Sequence, residues 1–123
     1  MAAPNLINAT TINGKTAGAN LTTTSATVVV TNAAASGKCL KINTLNVTNY
    51  SATAANITIN YNTAASLAGT NFAIAGAMNV PANGTLNIID KTSQYYLEEN
   101  TSIGATAGTA NALIVTCSYE DIS

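Results

Sequence analysis

The chain has 123 residues, enough for one domain and not two. Only 7% are charged, against about 25% in ordinary soluble domains; the formal net charge is -1, and His, Arg and Trp are absent. That balance excludes a basic stripe for nucleic acid, a polybasic patch for an anionic membrane, and the histidine base that most Ser or Cys nucleophiles use.

The segment 1–19 carries isolated apolar residues (Leu6, Ile7, Ile12) and an Asn13-Gly14 turn signal, which predicts a first strand or an arm reaching a neighbour. Val28-Val29-Val30 is a short buried-type run, and N-A-A-A-S-G at 32–37 is a loop. In 38–49, Leu40 and Ile42 share one parity and Leu45 and Val47 the other. Side chains alternate across a strand, so the flip at Thr44 predicts a bulge, a bend, or burial on both faces. After a connection at 50–55, the stretch N-I-T-I-N-Y-N at 56–62 alternates cleanly, with Ile57, Ile59 and Tyr61 inward, and reads as a hairpin partner of the preceding strand. A strand over 71–78 places Phe72 and Ile74 inward, and P-A-N-G at 81–84 is a turn. Short strands follow at 86–90, 95–97 and 102–107. Residues 111–119 close the series with Leu113, Val115, Cys117 and Tyr119 on one face.

No helix is predicted, because Gly, Ser, Thr and Asn interrupt the Ala-rich pieces. About eight short strands with turns between them predict an all-β chain: a single-domain antiparallel β-sandwich over residues 1–123, jelly-roll-like, with a small barrel as the alternative. The core is thin. Val, Ile, Leu and Phe make up 26 of the 123 residues, about 21%, so packing against copies of itself or a partner is expected to add stability. The opening M-A-A-P-N-L-I-N-A lacks the basic and continuous apolar regions of a signal peptide, which predicts assembly in the cytosol.

Little in the chain carries reaction chemistry. Glu98-Glu99 are neighbours whose side chains diverge, and Glu120-Asp121 read as surface charges near the chain end. Cys39 and Cys117 lack a C-x-x-C spacing and read as free, partly buried thiols. The glycines form no phosphate cradle. No catalytic residue, metal site or cofactor is expected. The tyrosines at 50, 61, 95, 96 and 119 leave a sugar-stacking platform as an alternative to ordinary packing.

The pieces A-S-G-K-C-L-K-I-N at 35–43, V-P-A-N-G-T-L-N-I-I-D-K-T-S-Q-Y-Y-L-E-E-N-T-S-I at 80–103 and V-T-C-S-Y-E-D-I-S at 115–123 resemble small virion structural proteins of tailed phages, particularly those of marine cyanobacteria. The opening A-P-N-L-I-N-A-T-T-I-N-G-K-T adds to the likeness. The resemblance implies a non-enzymatic component present in many copies per particle and assembled in the host cytoplasm. The expected role is a capsid cement or decoration protein that bridges capsomers, binding the major capsid protein or other virion proteins and forming homo-oligomers. Neck, tail or fibre association is the alternative in the same class, and a carbohydrate- or surface-binding module is the rival class. Exposed-end apolar residues supply the expected interface: Leu6, Ile7, Ile12, Tyr95, Tyr96, Leu97, Tyr119 and Ile122. Thr58 and Asn60, on the uncharged face of the 56–62 strand, join them.

Overall fold

The computed structural model describes residues 6–123. A single 3-10 turn, Leu6–Asn8, precedes nine strands: β1 Ile12–Leu21, β2 Thr27–Asn32, β3 Cys39–Asn49, β4 Ala55–Asn62, β5 Asn71–Val80, β6 Thr85–Ile89, β7 Tyr95–Leu97, β8 Thr101–Ala107 and β9 Leu113–Ile122. The chain is all-β. Its two antiparallel sheets pack face to face as a β-sandwich. The first sheet has the order β1-β9-β3-β6, with β7 also paired to β3; the second has the order β2-β8-β4-β5. Taking β6 and β7 as two pieces of one edge, the pairings nest: β1 with β9, β2 with β8, β3 with β6 and β7, β4 with β5. This is the pairing of one long hairpin rolled up on itself.

Between the sheets lies one core of small and branched side chains. Leu21, Ile42, Leu45, Val47, Leu113 and Val115 come from the first sheet; Ile57, Ile59 and Ile103 come from the second. The parity flip in β3 is a bulge. Ile42 pairs Tyr119 and Leu45 pairs Cys117, with the register shifting between Ile42 and Thr44. Asn43 is the extra residue, so Ile42 and Leu45, three apart, point to the same face.

Three sequence expectations change. The 56–62 strand is not the hairpin partner of β3; β4 lies in the opposite sheet between β8 and β5. The Asn13-Gly14 pair makes no turn, since both residues pair with β9 inside β1. The third concerns Phe72 and Ile74. By register Phe72 does face the inner side, opposite Tyr61, but it is 58% exposed, and Ile74 is a half-buried bulge residue. The Pro81 turn is as expected: the Gly84 N–H donates to the Pro81 carbonyl at 3.0 Å, and Asn83 takes a φ of 57°.

Loops are tied down by asparagine. β2, β3 and β4 each end in a buried Asn. Asn32 Nδ2 donates to the carbonyls of Lys38 and Leu97, and Asn49 Nδ2 donates to those of Thr53 and Val80. Asn62 Oδ1 accepts the N–H groups of Ala64 and Gly69, while its Nδ2 donates to Leu67 O and Asn71 Oδ1. The 63–70 loop, so held, folds over the outer face of the second sheet. There Ser102 Oγ donates to Ala64 O, Thr31 Oγ1 donates to Ala65 O, and Leu67 covers the space beside Gly104. A carboxamide offers donors and an acceptor together, so it satisfies loop backbone without burying a charge.

Candidate functional site

The sequence-predicted interface residues do not form one patch. Leu6, Ile7 and Ile12 are exposed at the start of the described chain. Ile12 pairs across the ladder with Ile122, which is buried. Leu97 is fully buried opposite Leu40, so neither Leu97 nor Ile122 is an exposed apolar end. Tyr119 is half-buried against the core. Thr58 and Asn60 face outward from the middle of the second sheet, beside Thr106 and Gly104. Thr58 is already occupied: its Oγ1 accepts the Ala77 N–H at 3.0 Å, where Gly76 and Ala77 bulge opposite it.

Tyr95 and Tyr96 do come together with other residues. The strands β5 and β7 are edges of opposite sheets, and between them opens a groove of ≈ 380 Å³ lined by Tyr61, Phe72, Ala73, Ile74, Tyr95 and Tyr96. Tyr61 and Phe72 are register partners whose rings stand 6.4 Å apart at 35°, a tilted pair. Tyr95 pairs with Ile42 and therefore faces inward from the first sheet. Tyr95 is nevertheless 38% exposed, while Tyr96 pairs with Lys41 and points to the outer side, 47% exposed. The cause lies in the edges. β7 has only three residues, and among the described residues no strand lies beyond it or beyond β5, so the core-facing Phe72 and Tyr95 at this seam stay uncovered.

A second surface is the outer face of the first sheet. The ladder registers set side chains in rows: Thr16, Ser118 and Thr44; then Gly18, Thr116, Asn46 and Asn87; then Asn20, Ile114, Thr48 and Thr85. The Thr48 and Thr85 hydroxyls meet at 3.1 Å. No charge stands in these rows. The nearest ions are Lys41 and Glu120, 3.8 Å apart at the next row's position.

Charge is concentrated at one end of the sandwich. Asp121, read from sequence as a surface group, is only 5% exposed. Its Oδ2 accepts from Lys15 Nζ at 2.9 Å and from Lys38 Nζ at 3.2 Å. Burial pushes the Asp121 carboxyl up, but the hydrogen bonds and charges of the two ammoniums outweigh it and hold its pKa below the ordinary value. The Thr10 and Thr11 N–H groups donate to Ser123 O, fastening the chain end beside this pair.

Both cysteines are free and buried; burial pushes the Cys117 thiol up to about 12 and raises Cys39 as well, so neither is a thiolate at neutral pH. Among the described residues no group of three His, Cys, Asp or Glu side chains is placed to hold a metal ion. Sequence reasoning missed Phe72 and Ile74 as groove residues and Asp121 as a buried ion. The groove's sequence signal was present as the Tyr95-Tyr96 pair and the single aromatics Tyr61 and Phe72, but their meeting depends on sheet order. Comparison with protein-family models and with curated proteins finds no match to this chain.

Proposed function

We propose that this is a non-enzymatic bacteriophage virion structural protein, a cement or decoration protein that packs on the outside of a capsid and bridges neighbouring capsomers. The uncharged outer face of the first sheet carries this reading. A field of Thr, Ser, Asn and Gly around Ile114, roughly 15 Å on a side, can be covered by a partner without desolvating an ion. It offers hydroxyls and amides that pair with a partner or with trapped water. Two further features support it. The nested strand pairing agrees with a jelly roll, an architecture that viral capsid domains use, although fold alone does not fix function. The near-neutral chain also packs beside its own copies without like-charge repulsion.

The test is to compare particles lacking this protein with complete ones under heat and low salt. Loss of genome retention at a lower temperature in the depleted particles is the expected result. Equal survival removes the stabilising role. Copy number by quantitative mass spectrometry then separates a shell component, at shell stoichiometry, from a neck, tail or fibre component at a few copies per particle.

A further inference from the structure

We propose that the seam groove between β5 and β7 is a binding site for a neutral saccharide, a role independent of where in a particle the protein sits. The lining contains four aromatic rings and Ile74, and none of its six residues is charged. Among the described residues the hydroxyls of Tyr61, Tyr95 and Tyr96 make no hydrogen bond. The groove therefore pairs aromatic faces with three free phenol groups that both donate and accept.

A pyranose ring has the complementary chemistry. One face is a set of C–H bonds of slight positive charge, which rest on the negative face of an aromatic ring. Its rim is a ring of hydroxyls, each a donor and an acceptor, matched to phenol groups at the groove wall. A purely apolar ligand would strand the three phenols, and an anionic or cationic one would find no counter-charge to offset its desolvation. The volume of ≈ 380 Å³ is at the small end of the range for ligand sites and suits a mono- or disaccharide rather than a long peptide.

Phe72 and Tyr95 face inward by register yet are 58% and 38% exposed, and that is the physical reason for expecting an occupant. Covering Phe72 and Tyr96, 58% and 47% exposed, removes apolar surface from water at a place the fold cannot close with its own chain.

The experiment is an array of neutral, sialylated and sulfated glycans, followed by titration of the intact chain with the best neutral mono- or disaccharide, read by amide chemical shifts. Binding of at least one neutral glycan is expected, with shifts confined to β4, β5 and β7. Phe72→Ala is expected to weaken it about tenfold or more. Tyr96→Phe, which removes only a hydroxyl, is expected to weaken it less, and Tyr50→Phe, outside the groove, to leave it unchanged. Melting curves check that each variant is folded. The proposal is overturned by an array without a neutral binder, by binding restricted to acidic glycans, or by neutral-glycan binding that survives Phe72→Ala in the folded variant. A dimer that Phe72→Ala dissolves, with no glycan bound, assigns the groove to a second copy and also overturns it.

Discussion

At the scale of single residues, asparagine does here what charged residues do elsewhere. Asn32, Asn49 and Asn62 each close a strand and spend a whole carboxamide on the loop that follows. Among the described residues Asp121 is the one buried charge and the exception, and its environment predicts how stability depends on pH. Its folded pKa lies below the ordinary value of 3.8, so its contribution is complete above that value and is lost as pH falls through the lower folded one. Thermal melting is expected to be level from neutral pH down to about pH 5 and to fall below about pH 4. Asp121→Asn removes the partner of two lysines. Because both ammoniums reach solvent, the expected cost at pH 7 is about 1 kcal/mol, a Tm drop of about 4 °C. In the same variant the acid limb should flatten. An acid limb identical to wild type would mean that other carboxylates set it.

At the scale of elements, β3 is the organising strand, pairing with β9 on one side and with β6 and β7 on the other. The extra residue Asn43 breaks its alternation, and the bulge absorbs it so that Ile42 and Leu45 still face the same side. The bulged residue is itself held, donating to Glu120 Oε2 at 3.1 Å and accepting from Gln94 Nε2 at 3.2 Å. Deleting Asn43 brings Leu40, Ile42, Leu45 and Val47 onto one parity, so all four can face inward on a regular ladder. What the deletion removes is the bulge with its local twist and the two Asn43 side-chain hydrogen bonds, worth about 1 kcal/mol each. The deletion variant is therefore expected to keep a cooperative melt, with Tm lowered by several degrees. Loss of the cooperative melt would show that the bend at Asn43, beyond the inward parity, is needed for β3 to meet its partners. Asn43→Ala keeps the extra residue, loses the same hydrogen bonds and should cost about as much.

The distribution of charge governs the whole molecule. Ions sit at the end of the sandwich around Asp121 and along the Lys41–Glu120 row, while the three neighbouring rows of the first sheet's outer face have none. Under the proposed role that face is the contact. Lysines at Asn46 and Thr116, which are row neighbours, should leave the isolated fold within about 0.5 kcal/mol of wild type, since both positions reach solvent. Incorporation into particles should fall, because two charges would have to be desolvated without partners. Unchanged incorporation would move the contact elsewhere. This pair is a cleaner probe than Thr58 and Asn60, because Thr58 already accepts a backbone hydrogen bond inside its own sheet.

The amino-acid sequence by itself determined roughly where β2 to β9 lie, which residues of β3, β4 and β9 point inward, that β3 departs from simple alternation, and that the surface avoids charge. These are local properties: period-two patterning reports a half-buried strand wherever that strand ends up. Only the tertiary structure decided which strands pair, and so it alone separated β4 from β3, buried Leu97 and Ile122, and enclosed Asp121 between two lysines. Alternation says that a face is covered but not by what, and the covering elements come from distant parts of the chain. The groove between β5 and β7 is the sharpest case. Phe72 and Tyr95 carry the parity of core residues, and they meet solvent because their strands are the last in their sheets.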